Sequence, residues 1–125
     1  TTEIYTLSLH DALPIYEMSI TQEIVAICLQ HAQGRRITAV HIEIGTLSGI
    51  VPEAVDFCFS ACTTDTLAEL ATLAIRQIDA RARCLDCSTE HPVSRLYDPC
   101  PACGSYAVQV TKGQEMRVVE IEVED

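Results

Sequence analysis

Four of the seven cysteines form two closely spaced pairs, the strongest chemical signal in the sequence. Cys84 and Cys87 are separated by two residues, twelve residues follow, and Cys100 and Cys103 repeat the spacing. Two intervening residues allow a tight turn to present both sulfurs to one ion at about 2.3 Å, and two such turns complete a tetrahedron. The pattern therefore predicts a structural metal site, with zinc favoured over iron, in which protein fills all four positions and none is open to a substrate.

Other interpretations of the paired cysteines are weaker. Two disulfides are disfavoured because the sequence shows no secretory signal. A thioredoxin-like redox pair needs a helix that begins at the pair, and no helical pattern follows either one. Iron in a rubredoxin-like cage has the same ligand count, so the spacing alone leaves an electron carrier open.

The remaining cysteines and the histidines give weaker signals. Cys28, Cys58 and Cys62 lie on the apolar faces of two predicted helices, which is typical of inert core thiols, although the shared face of the last two leaves a soft-metal site open. His41 falls on the polar face of a predicted strand, and His91 lies between the cysteine pairs as an alternative ligand. No arrangement typical of nucleophilic catalysis or phosphate binding is evident, which favours a carrier or adaptor over an enzyme.

Composition narrows the class of partner. Against 18 acidic residues the chain of 125 has only 8 lysines and arginines, a formal charge of −10. Nucleic acid is therefore an unfavourable partner, because binding it requires a basic face that displaces counterions. No apolar run reaches the roughly 18–20 residues of a membrane span, whereas an apolar content of 48% is sufficient for a folded core.

The elements that position the cysteines follow from hydrophobic spacing. Ser19 and Gln22 resemble a capping box that opens a helix, and Gly34 ends it. Further elements are predicted as a strand over Val40–Ile44, a helix from Pro52, and strands over Leu73–Ile78 and Met116–Val123. We expect an α+β fold in which a small three-stranded sheet packs with two helices. The tetracysteine ribbon is inserted before the last strand, so it is anchored at two points.

Residues 1–15 differ in character from the rest of the chain. Their apolar positions keep neither a helical nor a strand period, and Pro14 interrupts them. The segment, TTEIYTLSLHDALPI, resembles the translation of a common short-read sequencing adapter, so we interpret it as a non-native leader. Such an adapter ends one base into codon 16. The two remaining bases of that codon fit His, Asn, Asp or Tyr, which makes His a candidate for the native residue at Tyr16.

Several segments together resemble the HypA/HybF family. They are, in order, Glu17–Ile20, Val40–Ser48 (VHIEIGTLS), Pro52–Ala54 with Phe57–Phe59, Cys84–Cys87, Cys100–Ser105 and Gly113–Val123 (GQEMRVVEIEV). The resemblance is collinear over Glu17–Val123. Paired cysteines alone are unspecific, and it is their order among the other segments that makes the match specific.

The resemblance implies a nickel metallochaperone of hydrogenase maturation rather than an enzyme. It implies a nickel-binding α/β domain over 16–80 and 113–125, and a zinc ribbon over 81–112. Proteins of this family bind nickel through an initial Met-His-Glu, using the imidazole and backbone nitrogens. Glu17 matches the family's Glu, but Tyr16 stands in place of His and Ile15 in place of Met. A phenol with a pKa of about 10 is a poor nickel ligand, so we expect this chain to bind nickel weakly there.

The resemblance also implies partners and a location. It implies a nickel-handling GTPase and the hydrogenase large subunit as partners, met in the cytoplasm through an acidic surface. On the residues alone, a zinc-ribbon adaptor without nickel and an iron electron carrier remain the alternatives.

Overall fold

Over the residues that the structure describes, the fold combines two helices with seven strands in two sheets. A computed structural model describes residues 2–8 and 17–124, with the backbone alone described over 2–8. The helices are α1 (Glu17–Ala32) and α2 (Pro52–Thr63). The strands are β1 (Thr2–Ser8), β2 (Ile37–Gly45), β3 (Thr72–Ile78), β4 (Arg81–Cys84), β5 (Glu90–Pro92), β6 (Val108–Lys112) and β7 (Met116–Val123). Within the described ranges, no helix combines the length and the apolar character that crossing a membrane requires.

The larger sheet has the order β1-β7-β2-β3. Here β2 pairs with β7 antiparallel and with β3 parallel, so the α+β prediction is confirmed and the strands on either side of the ribbon share one sheet. β1 adds a fourth strand along the outer edge of β7, where the sequence pattern predicted none. An outer strand such as β7 offers unpaired backbone N–H and C=O groups, and these groups can pair with a segment whose sequence has no strand period.

The main core lies between the helices and one face of this sheet. Val40, Ile42 and Ile44 alternate with half-buried residues along β2 and pack in the same cluster as Ile24 of α1 and Val55 of α2. This face is the one predicted from the alternation. The smaller sheet has the order β5-β4-β6. It has its own small apolar cluster, formed by Ala80, Ala82 and Val93.

The predicted start of α1 is wrong by three residues, because a cap at Ser19 would make Ile20 the first helical residue. The helix begins at Glu17, so Ser19 lies inside the first turn and does not act as the cap. A carboxylate in the first turn is favoured by the helix dipole, and the Thr21 hydroxyl donates to the Glu17 carbonyl at 2.6 Å. The predicted end is confirmed, because Gly34 has the left-handed φ of 81° that follows a helix C-terminus.

Candidate metal centre

Two equivalent turns present the four cysteines. In the first turn the Ser88 N–H donates to the Cys84 carbonyl, and the Cys84 N–H donates to the Thr89 carbonyl, both at 2.9 Å. In the second turn the Gly104 N–H donates to the Cys100 carbonyl, and the Cys100 N–H donates to the Ser105 carbonyl, both at 2.8 Å. Ser88 and Gly104 occupy the same position and both have positive φ, 66° and 76°. The repeated spacing therefore folds into a repeated backbone geometry.

The four sulfur atoms face one another across these turns. Cys84 Sγ lies 3.6 Å from Cys103 Sγ, and Cys87 Sγ lies 3.7 Å from Cys100 Sγ. All four sulfurs lie within 4.8 Å of one another. A tetrahedron with metal–sulfur distances of about 2.3 Å has edges of about 3.8 Å, so the arrangement fits a tetrathiolate ion with little movement.

The protonation of the four thiols is uneven. Hydrogen bonds from the Thr89 side chain and backbone lower the pKa of Cys87 to about 6, and the Thr89 hydroxyl lies 3.1 Å from its sulfur. The Ser105 backbone favours the Cys103 thiolate, but the neighbouring sulfurs, Cys84 first, outweigh it and raise the pKa of Cys103 to about 12. Four sulfurs this close hold four negative charges only when a cation lies between them. The donor set therefore suits a bound metal ion.

Polar contacts connect the two turns outside the sulfur cluster. The Ser105 hydroxyl donates to the Asp86 carboxylate in the opposite turn and accepts from the Ala107 N–H at 3.0 Å. The Leu85 N–H donates to the Ala107 carbonyl at 2.8 Å. Such contacts hold the ligand turns in register, which is the usual role of groups just outside a metal's own ligands.

His91 is not brought to the sulfur cluster. It is buried on β5, where its Nδ1 lies 3.1 Å from the Pro92 carbonyl oxygen, and the metal-binding group at this site contains cysteines alone. The sequence left His91 open as an alternative ligand, whereas the pairing of β5 with β4 places it opposite Ala82, where it is buried.

Cys28 and Cys58 are buried, as expected for core thiols, whereas Cys62 is half-buried. The sulfur of Cys62 lies 3.5 Å from the Met18 sulfur in the first turn of α1. Within residues 17–124, these three cysteines belong to no group of three or more His, Cys, Asp or Glu ligands. The soft-metal site that the sequence left open is therefore not assembled from them.

A second ligand group was not predicted. His41 of β2 lies beside Glu120 and Glu122 of β7, and their ligand atoms all lie within 4.8 Å of one another. The one sign of this group in the sequence is the alternation of apolar and polar residues on both strands, which places all three residues on polar faces. The three residues come together because β2 pairs with β7 in one particular register.

Of the two nickel-site residues implied by the resemblance, the structure describes only Glu17. Glu17 is the first residue of α1 and is half-buried, while Tyr16 lies outside the described residues.

Comparisons with known proteins agree with this architecture. The family described as "Hydrogenase/urease nickel incorporation, metallochaperone, hypA" matches residues 15–123. The chain belongs to the HypA family. The expectation that it is a metallochaperone rather than an enzyme is thereby confirmed.

Individual HypA proteins match over nearly their whole length. The hydrogenase maturation factor HypA of Geobacter sulfurreducens is 59% identical over 110 residues, covering 88% of this chain and all of that protein. The HypA of Geotalea uraniireducens is 56% identical with the same coverage. The solution structure of the Ni metallochaperone HypA from Helicobacter pylori superposes with a TM-score of 0.64 at 27% identity, covering 87% of this chain and 97% of that one.

Proposed function

We propose that this chain binds nickel and delivers it to the large subunit of a [NiFe]-hydrogenase together with a partner GTPase. The observation that supports this most strongly is the HypA family match over residues 15–123, which spans both helices, strands β2 to β7 and the tetracysteine cluster. The HypA proteins of Geobacter sulfurreducens and Geotalea uraniireducens, which match over their full length, carry hydrogenase, rather than urease, in their names.

The proposed nickel site is the segment that opens α1. Imidazole and backbone nitrogens arranged in a plane suit nickel(II), which accepts square-planar coordination. Tyr16 occupies the position at which the family has its histidine, and Glu17 keeps the family's Glu. Residues 1–14 lie outside the family match, which supports treating 1–15 as a leader that blocks the native start.

The proposed resident metal is zinc, held by Cys84, Cys87, Cys100 and Cys103. Four thiolates leave no open position, so zinc would supply folding energy to the ribbon rather than chemistry. We propose that the ribbon spans 81–112 and that 16–80 with 113–125 form the nickel-binding domain. Thiolate ligands need a reducing compartment, which supports action in the cytoplasm. A charge of −10 supports docking on proteins rather than on nucleic acid.

The test compares this chain with a version in which Met-His replaces residues 1–16, so that the protein begins Met-His-Glu17. Both are loaded with zinc and titrated with nickel(II) in a calorimeter. We expect tight binding of one additional nickel ion by the Met-His version, because a free amine, an imidazole and backbone nitrogens become available together. A Met-Gln version is the matched control, and we expect it to lose that binding. Only the Met-His version should restore hydrogenase activity to cells that lack their own HypA.

Equal nickel affinity of the 125-residue chain and the Met-His version would contradict the proposed site. Failure to restore hydrogenase activity despite tight nickel binding would contradict the proposed delivery. A red protein would identify iron in the tetrathiolate site and favour an electron carrier, since zinc is colourless.

A further inference from the structure

The face of the larger sheet that points away from the helices brings three potential metal ligands together. β2 and β7 are antiparallel neighbours, and His41 lies directly opposite Glu120 in their register. Glu122 follows two residues along β7, so it projects from the same face. The register shifts by one residue between His41 and Ile42, because His41 pairs with Glu120 whereas Ile42 pairs with Val118. This bulge determines which β7 side chains lie next to His41.

The distances between the ligand atoms suit one ion. His41 Nε2 lies 2.8 Å from Glu122 Oε2 and 3.5 Å from Glu120 Oε1. Ligand atoms about 2.1 Å from a metal ion lie about 3.0 Å apart at right angles and about 3.4 Å apart in a tetrahedron. Small side-chain rotations therefore bring all three atoms to bonding distance. One imidazole with two carboxylates is a donor set for borderline divalent ions such as zinc and nickel, rather than for soft ions.

The local charge favours a cation. Within residues 17–124, His41 is the basic side chain that contacts Glu120 and Glu122. The arginines of the same face are engaged elsewhere, since Arg76 and Arg117 both pair with Glu43, at 3.7 and 3.4 Å. Two carboxylates and one imidazole thus leave at least one negative charge uncompensated by described side chains, and a divalent ion would neutralise it.

The ligand group also has room for solvent. It borders a cavity of about 300 Å³ lined in part by His41, Ala74, Val119 and Glu120. The residue of β3 that pairs with His41 is Ala74, and its small side chain leaves this side of the group open. Three protein ligands with an open side are typical of metal sites that exchange a ligand, whereas structural sites are closed by four.

We propose that His41, Glu120 and Glu122 form a second, exchangeable site for a divalent transition-metal ion. The site is separate from the tetracysteine cluster and does not involve the start of α1, so it does not depend on the proposed nickel delivery. Without a metal, the same side chains form a histidine–carboxylate contact, with His41 Nε2 at hydrogen-bonding distance from Glu122 Oε2. If the three side chains bind a metal ion, replacing one of them weakens a binding event in a metal titration. If they only contact one another, the replacement leaves the titration unchanged.

The experiment uses the full chain loaded with zinc, with nickel(II) as the probe. In a calorimetric titration we expect His41→Gln and Glu122→Gln each to weaken one nickel-binding event at least tenfold. His31→Gln is the matched control for loss of an exposed histidine, and Glu124→Gln is the control for loss of one negative charge near the end of β7. Both controls should titrate like the parent chain, which carries the same residues 1–16.

Spectroscopy locates the ion. Nickel(II) with imidazole, carboxylate and water ligands is octahedral and paramagnetic, whereas square-planar nickel bound by backbone nitrogens is diamagnetic. We therefore expect one equivalent of nickel to broaden the backbone amide signals of Ala74 and Val119 in the parent chain but not in His41→Gln. Unchanged titration by both variants, equal weakening in the controls, or broadening confined to other parts of the chain would each overturn the proposed site.

Discussion

At the scale of single residues, the contact between Cys62 and Met18 connects α2 to the first turn of α1. The two sulfur atoms lie 3.5 Å apart. Burial raises the pKa of the Cys62 thiol above its ordinary value, and the neighbouring Cys58 raises it further. Since the thiolate is the reactive form, Cys62 should be less reactive at neutral pH than its partial exposure suggests.

This gives a prediction for alkylation. In zinc-loaded protein at pH 7.5, iodoacetamide should modify Cys62 more slowly than it modifies free N-acetylcysteine. The pH midpoint of the rate should lie above that of the free thiol, because a raised pKa shifts thiolate formation to higher pH. Mass spectrometry of the alkylated peptide measures this, with a Cys62→Ser variant to assign the signal. A midpoint at or below that of the free thiol would contradict the inferred environment.

At the scale of elements, the junction between the two sheets depends on two glycines. The Gly45 N–H donates to the Glu115 carbonyl at 2.8 Å, and the Leu47 N–H donates to the Gly113 carbonyl at 2.7 Å. A side chain at Gly45 would overlap the carbonyl oxygen of Gly113, and one at Gly113 would overlap the backbone of Ala80. The end of β2, the start of β4 and the return to β7 therefore meet with no space for a Cβ atom.

Gly45→Ala should consequently destabilise the protein by about 3 kcal/mol, the upper part of the range for overpacking. Gly49 provides a matched control because it has a φ of 79° and a Cβ there would contact nothing within 4 Å. Gly49→Ala should cost only about 1 kcal/mol, the strain of a left-handed alanine. Urea unfolding of zinc-loaded proteins measures both. Equal losses of stability would mean that the junction adjusts and that the close approach does not matter.

Local patterns predicted most elements but not their pairing. Pro52 at the start of α2 and the alternation over Met116–Val123 gave correct boundaries, because both depend on the nearest neighbours in the chain. The spacing of the cysteines predicted the cluster for the same reason. The group of His41, Glu120 and Glu122 was missed because it depends on strand order and on one bulge, which residues nearly eighty positions apart determine together. The start of α1 was missed because two polar residues offered a local cap that the helix does not use.

At the scale of the whole molecule, the two sheets differ greatly in the number of buried apolar residues that stabilise them. Within residues 17–124, the larger sheet and the helices share sixteen buried core residues, whereas the ribbon cluster has three, of which two are alanines. Partly buried Leu47, Val108 and Val110 pack against those three. An apolar cluster of this size does not offset the conformational entropy of about thirty ordered residues, so the ribbon requires its metal in order to fold.

Removing the metal should therefore unfold one part of the molecule and leave the other folded. With a thiol reductant and excess chelator, we expect the amide signals of 81–112 to collapse to unfolded positions while those of β2 and α1 keep their dispersion. Cys84→Ser should produce the same pattern without chelator, because a buried ligand is lost. Cys62→Ser, which removes a cysteine outside the cluster, should keep one zinc ion and a folded ribbon. Unfolding should stay confined to the ribbon because the chain enters it from β3 and leaves it into β7. Both strands belong to the larger sheet, whose own core holds them in place. Loss of dispersion throughout the protein would instead show that the two sheets fold as one cooperative unit through the Gly45–Gly113 junction.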